Sequence, residues 1–422
     1  MKFEKGSIRR SLRYSIWDGL FTALGLGISE NYLIPYGIAL GATPSQVAFL
    51  ASIPMLVASI LQVQSAGLTQ SIGSRLKLIH VIVFFHAAAW LPIILIPYLL
   101  GPHSGGWAPW ALLAAAIVYV SFGTFAVPAW QSLMSDYIPV KKRGKYFGWR
   151  NRLQGILTVL SSIAAGLLLN YFGKNKIVGF TIIFIFAMVC RWCAWGCLTR
   201  MSEPFRHTSH DQYFSFTSFL RRIPRSNFGR FVLFVSLMSF SVNISAPLLP
   251  VFLLKNMEFS YASYMIVVTT AQLSGFLFQG LWGKFGDLEG NLHILKAAGW
   301  GIAVIPLLWM FSRDLTYLFF VQFFAGACWA GFNMLVLNFM MEAVSPQKRI
   351  RCIAYFNVMN SFFIFLGAIC GGLLIHHLPP LAGYSFLTLF LVSCAGRIAV
   401  MHWVSPLIRE VRGNVWQRGT AL

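Results

Sequence analysis

The chain has 422 residues, of which 57% are hydrophobic and only 11% are charged, and its mean hydropathy is +0.68. A soluble protein is nearer one-quarter charged, so the composition excludes a soluble fold and indicates an integral membrane protein. Lys and Arg number 33 against 12 Asp and Glu, a formal net charge of +21. In a membrane protein we expect most of this positive charge to direct membrane insertion and to lie on the surface that faces the lipid headgroups. No nucleic-acid partner is expected.

Twelve stretches are apolar enough for membrane helices, each of which needs about 20 residues. We predict spans at roughly 13–40, 44–66, 77–100, 107–135, 146–172, 177–199, 229–254, 260–283, 293–312, 315–341, 352–377 and 381–404. Most basic residues fall in the tails and even-numbered loops, so the positive-inside rule predicts that both termini are cytoplasmic. The expected location is the cytoplasmic (inner) membrane of a bacterium.

A long hydrophilic segment after the sixth span divides the chain into two sets of six spans. The predicted parts are an N-terminal tail at 1–12, a bundle at 13–199, a linker at 200–228, a second bundle at 229–404 and a tail at 405–422. The halves also resemble each other at an offset of 206 residues, which pairs Asp136 with Glu342, Arg143 with Arg349 and Arg191 with Arg397. Two similar six-helix bundles are the arrangement of alternating-access carriers.

Two short loop motifs carry a resemblance to a known family. The loop after span eight reads Gly283-x-Phe285-x-Asp287-x-x-Gly290, and the segment after span four reads Asp136-x-x-Pro139-x-x-x-Arg143-Gly. Both are similar to loop motifs of the major facilitator superfamily, and the resemblance extends over all twelve spans. It implies an all-α fold of two pseudo-symmetric six-helix bundles, with a solute cavity lined by the first, second, fourth and fifth helices of each half. The copy after span two is degenerate, with Gln70 in place of the acid.

Glu30 is the one acid that lies well inside a predicted span. A carboxyl in apolar surroundings favours its neutral form, so Glu30 could exchange protons near neutral pH. We therefore predict that it carries the coupling proton, with a purely structural acid as the alternative. Asp18, nearer the start of the same helix, is expected to pair with Arg13, Arg150 or Arg152.

Polar and aromatic side chains recur on the helices that the resemblance assigns to the cavity. Such stripes either join neighbouring helices or line a water-filled route, and their number on these helices favours the route. The predicted cavity residues are Tyr32, Trp130, Asn151, Gln154, Asn243, Gln272, Trp329, Asn333, Tyr355, Asn357 and Asn360.

The cytoplasmic loops are predicted to latch the outward-open state, more strongly in the second half because Gln70 brings no charge. The predicted gating residues are Asp136, Arg143, Gly283, Asp287, Gly290, Glu342 and Arg349, with Gly283 and Gly290 forming the turn after span eight. Arg191 and Arg397 are expected to be structural and to extend toward the cytoplasmic surface. No spacing of His, Cys or acids predicts a metal site or a cofactor.

These patterns together predict a secondary active transporter for a small organic solute rather than an enzyme. The predicted coupling ion is the proton, with sodium coupling or facilitated diffusion without any ion as the alternatives. Two other classes stay open at this stage: a non-transporting receptor or assembly factor that keeps the carrier fold, and a membrane-embedded enzyme, for which the spans hold too few acids.

Overall fold

The computed structural model describes residues 5–100, 106–138, 140–203, 215–223, 225–344 and 346–411. The helices of the first half are α1 (Lys5–Ser29), α2 (Leu33–Ala39), α3 (Pro44–Gln62), α4 (Ser65–Ile72), α5 (Arg75–Ala88), α6 (Trp90–Leu100), α7 (Trp107–Phe125), α8 (Val127–Tyr137), α9 (Val140–Tyr171) and α10 (Lys176–Leu198). Those that follow are α11 (Phe216–Arg222), α12 (Asn227–Asn243), α13 (Leu249–Val251), α14 (Tyr261–Glu289), α15 (Asn291–Leu308), α16 (Leu315–Ala343), α17 (Pro346–Leu374) and α18 (Ser385–Ala399).

Eleven helical stretches in the described residues are long and apolar enough to cross a membrane, and they correspond to the second through twelfth predicted spans. Several join two consecutive helices, as α5 and α6 do in the stretch Arg75–Leu100. The first predicted span corresponds to α1 and α2. Its N-terminal part is more polar, because α1 carries Asp18 and several arginines.

The first span is interrupted, whereas the sequence predicted one continuous helix. Between α1 and α2 lies a single turn of 3-10 helix, Glu30–Tyr32. Pro35 explains the interruption, since it lacks an N–H and its ring would collide with the carbonyl four residues earlier in a regular helix. Glu30 is therefore the first residue of a helix break.

The seventh span is also broken. After α12 come a 3-10 turn at Ala246–Leu248, the short α13, and a π-helical segment at Phe252–Asn256. Pro247 and Pro250 lie in this region and remove two backbone donors, which accounts for the change of helix type.

The chain forms two compact units. The first comprises Met1–Thr208 together with Leu253–Met265, and the second comprises Ser209–Phe252 together with Ile266–Leu422. Within the first unit, the segment from the second half is attached by polar and aromatic contacts: Lys255 Nζ donates to the carbonyl of Ala42 at 3.0 Å, and the Tyr261 ring lies 5.6 Å from that of Phe180.

The packing of α1 on α9 depends on small residues of α1. Thr158 Oγ1 donates to the carbonyl of Ala23 at 3.3 Å, and Ser162 Oγ donates to that of Gly27 at 2.6 Å. A Cβ on Gly27 would collide with the main chain of Thr158. Close approach through small residues spaced by four, with hydroxyl-to-carbonyl bonds, is a common way to join membrane helices. Thr158 and Ser162, which continue the spacing of Asn151 and Gln154 along α9, thus join the two helices.

The second unit uses the equivalent pair of spans with the small residues on the other partner. Here α12 packs on α17, and a Cβ on Gly367 or Gly371 would collide with the carbonyl oxygens of Phe240 and Ile244. Gly367 lies 206 residues after Ser161, so the same level of the fifth helix makes the contact in both halves.

Replacing Gly27 by Ala is expected to destabilise the first unit. The added methyl group would meet the carbonyl oxygen of Thr158, and because this atom belongs to the main chain the two helices must move apart. We expect a loss of about 1–3 kcal/mol, the usual cost of overpacking, measured as a lower Tm in detergent. In the control Gly196→Ala the new Cβ would meet open space, so Tm should stay unchanged or rise slightly. Equal losses in the two variants would contradict the proposed close contact.

Candidate functional site

Five of the predicted spans in the first half contribute polar side chains to a single group inside the bundle, which we call the first-half cluster. Its members are Asp18 and Thr22 on α1, His86 on α5, Tyr119 on α7, Arg150 on α9 and Arg191 on α10. Asp18, His86, Tyr119 and Arg150 are buried. Charges in such surroundings are tolerated only when partners compensate them.

Arg150 is the partner of Asp18 in this cluster. Its guanidinium lies 3.6 Å from the Asp18 carboxylate and donates to the carbonyl of Ser15 and to Gln154 Oε1. The same group lies 4.6 Å from the centre of the Trp130 ring, a favourable cation–π distance. Of the three arginines considered from the sequence as partners of Asp18, Arg150 is therefore the one that pairs with it.

Arg191 points into the bundle, so the expectation that it extends to the cytoplasmic surface is wrong. Its Nε donates to His86 Nδ1 at 2.9 Å, and its Nη1 donates to Thr22 Oγ1 at 2.9 Å. These acceptors stand on two neighbouring helices and satisfy the guanidinium inside the protein. Because His86 Nδ1 accepts a hydrogen bond, the ring is neutral and carries its proton on Nε2.

Glu30 lies at the break between α1 and α2, with its side chain exposed. Arg191 is within electrostatic range of both Glu30 and Asp18, and Glu30 is in turn within range of the Tyr119 hydroxyl. One guanidinium thus interacts electrostatically with carboxyl groups at two positions of the first span. This arrangement compensates the two acids unequally, since Asp18 also has Arg150.

The predicted cavity residues of the first half lie in different environments. Tyr32 is fully buried and its hydroxyl donates to the carbonyl of Ser162 at 2.6 Å, so it contributes to the α1–α9 packing. Trp130 and Gln154 are partly buried beside Arg150. Asn151 is exposed on α9.

In the second half, exposure again separates the predicted cavity residues. Asn333 is exposed on α16, whereas Asn243, Gln272, Trp329, Asn357 and Asn360 are partly buried. Asn243 donates to the carbonyl of Ser239 on its own helix, and Trp329 contacts Phe332. Tyr355 is buried against Phe216 and Phe219 of α11, so it helps to attach the linker helix to α17.

Arg397, the counterpart of Arg191 at the offset of 206, is buried and also points inward. Its donors reach Ser393 Oγ, the carbonyl of Ile302 and Ser245 Oγ, at 3.0–3.4 Å. These acceptors are neutral, whereas Arg191 lies near two carboxyl groups. The halves therefore share the position of the arginine but differ in its electrostatic surroundings.

A second polar group lies at the end of the first-half bundle where α5 begins. Arg75 Nη1 forms an ion pair with Asp136 at 2.6 Å, and its Nε forms one with Glu203 at 2.9 Å. Glu203 also accepts hydrogen bonds from Ser74 Oγ and from the backbone amides of Arg75 and Leu76. A carboxylate at the first turn of a helix is favourable, so Glu203 stabilises the start of α5. Arg75 and Glu203 were not among the predicted gating residues.

The second half has a similar polar group at the start of α15, in which Asn291 and a backbone amide are the donors to the two acids. Glu410 accepts a hydrogen bond from the backbone amide of Leu292 at the start of α15, and Glu342 accepts one from Asn291 Nδ2 at 2.7 Å. Glu410 follows Glu203 by 207 residues and Glu342 follows Asp136 by 206. The pairing of acids was visible in the sequence after spans four and ten, but the acids after spans six and twelve were missed.

The predicted turn after span eight needs a correction. Gly283 lies inside α14, which continues to Glu289, and its missing side chain leaves room for Met334. The turn is made at Gly290, where φ is +101°. The side chains of Arg143, Asp287 and Arg349 lie outside the described part of the structure. Among the described residues, no group of three or more His, Cys, Asp or Glu is placed to hold a metal ion.

The stability contributed by Glu203 should depend on pH. Burial acts to raise the pKa of Glu203, but hydrogen bonds from Ser74, Arg75 and two backbone amides outweigh it and hold the pKa below the ordinary value. This contribution is complete above the ordinary glutamate pKa and is lost as pH falls through the lowered one. We expect Glu203→Gln to cost about 1–2 kcal/mol at neutral pH, and the difference in Tm from wild type to narrow in acid. The exposed Glu289→Gln is the control; a Tm difference independent of pH for Glu203→Gln would contradict this account.

Comparisons with known proteins agree with this architecture. A family model of the Major Facilitator Superfamily matches the chain twice, over residues 12–238 and 230–416. A comparison with curated proteins gives no match.

Solved structures share the fold at low sequence identity. The chain is similar to a mutant of the nucleoside transporter NupG, with a TM-score of 0.74, 14% identity and coverage of 95% of this chain and 100% of that one. It is also similar to a bacterial homologue of the iron transporter ferroportin (TM-score 0.68, 15% identity, 94% and 98% covered). A D-xylose-proton symporter gives a TM-score of 0.68 at 11% identity, with 96% and 98% covered.

The family model covers both halves, and the similar structures extend over nearly the whole chain. The predicted fold class is therefore confirmed: an all-helical membrane protein of two repeated halves. The protein belongs to the Major Facilitator Superfamily and is a multi-pass membrane transporter, not an enzyme.

Proposed function

We propose that the protein is a proton-coupled secondary transporter that moves a small neutral organic solute by alternating access. The observation that carries this proposal is the position of Glu30, an exposed carboxyl at a break in the first span, within electrostatic range of the Arg191 guanidinium. A broken helix near a polar site is typical of the coupling regions of secondary carriers.

The proposed coupling depends on Arg191, whose guanidinium lies within electrostatic range of both Glu30 and Asp18. When Glu30 is protonated, Asp18 is the one carboxylate that faces both Arg150 and Arg191, and the donors of Arg191 are taken up by His86 and Thr22. When Glu30 loses its proton, the new carboxylate lies within the field of the same arginine. Each proton therefore changes by one the total charge of Glu30 and the first-half cluster, while the hydrogen bonds of the cluster stay in place. A change of this kind can bias a two-state equilibrium.

The side chains that we propose for the solute favour a neutral, hydroxyl-rich molecule. Asn333 on α16 is an exposed amide, and Trp329, one turn earlier on the same helix, offers a partly buried aromatic face. Amides both donate and accept hydrogen bonds, which suits hydroxyl groups and bases without a net charge. Similarity to a nucleoside transporter and a D-xylose-proton symporter makes nucleosides and pentoses the first solutes to test.

We propose that the protein lies in the inner membrane of a bacterium, with both termini on the cytoplasmic side. Arg9, Arg10 and Arg13 at the start of α1 and Arg200 after α10 lie on one side, as the positive-inside rule requires for a cytoplasmic face.

Replacing Glu30 by Gln should separate solute binding from proton coupling. The amide keeps the size and a hydrogen-bonding group but cannot exchange a proton, so accumulation driven by a pH gradient should be lost by more than about tenfold. Solute exchange at equal pH should survive. We first screen nucleosides and pentoses for a compound that raises the Tm of the protein. That compound is then used to measure uptake into proteoliposomes.

Glu289→Gln, which removes an exposed acid from the end of α14, is the matched control and should transport as wild type does. Gradient-driven accumulation by Glu30→Gln at the wild-type rate would contradict the coupling role. If accumulation instead follows a sodium gradient in the wild type, the proton is the wrong ion. A solute that binds but is never transported would favour the receptor alternative.

A further inference from the structure

The N-terminal part of α1 carries a stripe of arginines and aromatic residues on its surface. Arg10, Arg13, Tyr14 and Trp17 are spaced by three, one and three residues, which places them along one side of the helix, with Arg9 beside Arg13. These five residues line a surface groove of about 630 Å³, which we call the α1 groove. All three arginines are exposed, so their charges face outward.

A fourth arginine, Arg200, lies close to a residue of the groove. The guanidinium groups of Arg10 and Arg200 each lie 5.9 Å from the centre of the Tyr14 ring. Arg200 follows α10 directly, and the backbone N–H of Ser202 donates to Ser11 Oγ at 3.1 Å. Like charges gathered around one ring repel one another unless an anion lies among them. The groove is therefore complementary to a negatively charged group.

The position of the groove limits what that group can be. Arg200 comes just after the candidate span Lys176–Leu198, so the groove lies at the level where this span ends. Its other end is apolar: Trp17 is 50% exposed, and its ring centre lies 6.3 Å from that of Phe21. Trp at such a position is typical of the interface between headgroups and acyl chains.

We propose that the α1 groove binds an anionic phospholipid, with its phosphate among the arginines and an acyl chain along Trp17 and Phe21. A free phosphate has the same charge, but in an open, solvated groove it would gain only screened attraction. A lipid is held at high local concentration by the bilayer and adds contact with the two aromatic rings. This site is separate from the first-half cluster and does not rest on the proposed transport activity.

The test is a lipid-binding titration of the full protein in neutral detergent, with phosphatidylglycerol as the probe and phosphatidylcholine for comparison. Bound lipid is counted by native mass spectrometry. The double variant Arg9→Gln/Arg13→Gln should bind phosphatidylglycerol about 25-fold more weakly, roughly fivefold for each arginine. Binding of phosphatidylcholine should stay as in wild type.

The matched control is Arg221→Gln/Arg222→Gln, which removes the same charge from two exposed arginines of α11. This variant should bind phosphatidylglycerol within about twofold of wild type. Equal weakening in the two double variants would show a non-specific charge effect and overturn the site.

Two further measurements distinguish a lipid from a free anion. Trp17→Ser should weaken binding of phosphatidylglycerol, because it removes the surface for the acyl chain. Excess inorganic phosphate should neither raise Tm nor displace the lipid. If phosphate alone stabilises the protein as much as phosphatidylglycerol does, and Trp17→Ser has no effect, the groove is a soluble-anion site and the proposal is wrong.

Discussion

Compensation of charge inside the bundle is the constraint on which the first half of this protein depends. Asp18, Arg150 and Arg191 lie on three helices, and an isolated charge at such a depth would be too costly to keep. The ion pair, the cation–π contact with Trp130 and the hydrogen bond to neutral His86 offset that cost together. Because the partners stand on different helices, the same contacts fix how those helices pack. Glu30, farther along the first span, has less compensation than Asp18, which is why we assign the mobile proton to it.

The two halves share a framework and differ in their chemistry. In both, the first helix packs closely on the fifth, and an acid that follows the sixth helix caps the start of the third. The arginine of the sixth helix points inward in both halves. Only in the first half is this arginine near carboxyl groups; Arg397 is satisfied by hydroxyl and carbonyl oxygens. A repeated fold with unequal electrostatics is consistent with our proposal that the first half binds the proton.

The sequence predicted the fold well, because span length, loop charge and an internal repeat report directly on membrane insertion. It predicted the site less well. Thr158 and Ser162 continue the spacing of the predicted cavity residues Asn151 and Gln154, yet they join α9 to α1, since a polar stripe has the same periodicity in either role. The direction of Arg191 depends on the distant acceptors His86 and Thr22, which no local pattern reveals. Gly283 was assigned to a turn because a short motif does not show where a helix ends.

The most direct test of the central claim is infrared difference spectroscopy of the purified protein over a pH titration, which needs no solute. A protonated carboxyl group absorbs as a C=O stretch that disappears when the proton leaves. The account predicts a carboxyl band that titrates near neutral pH in the wild type and in Glu289→Gln, and its absence in Glu30→Gln. An unchanged titrating band in Glu30→Gln would show that the exchangeable proton resides on another group and would contradict the account.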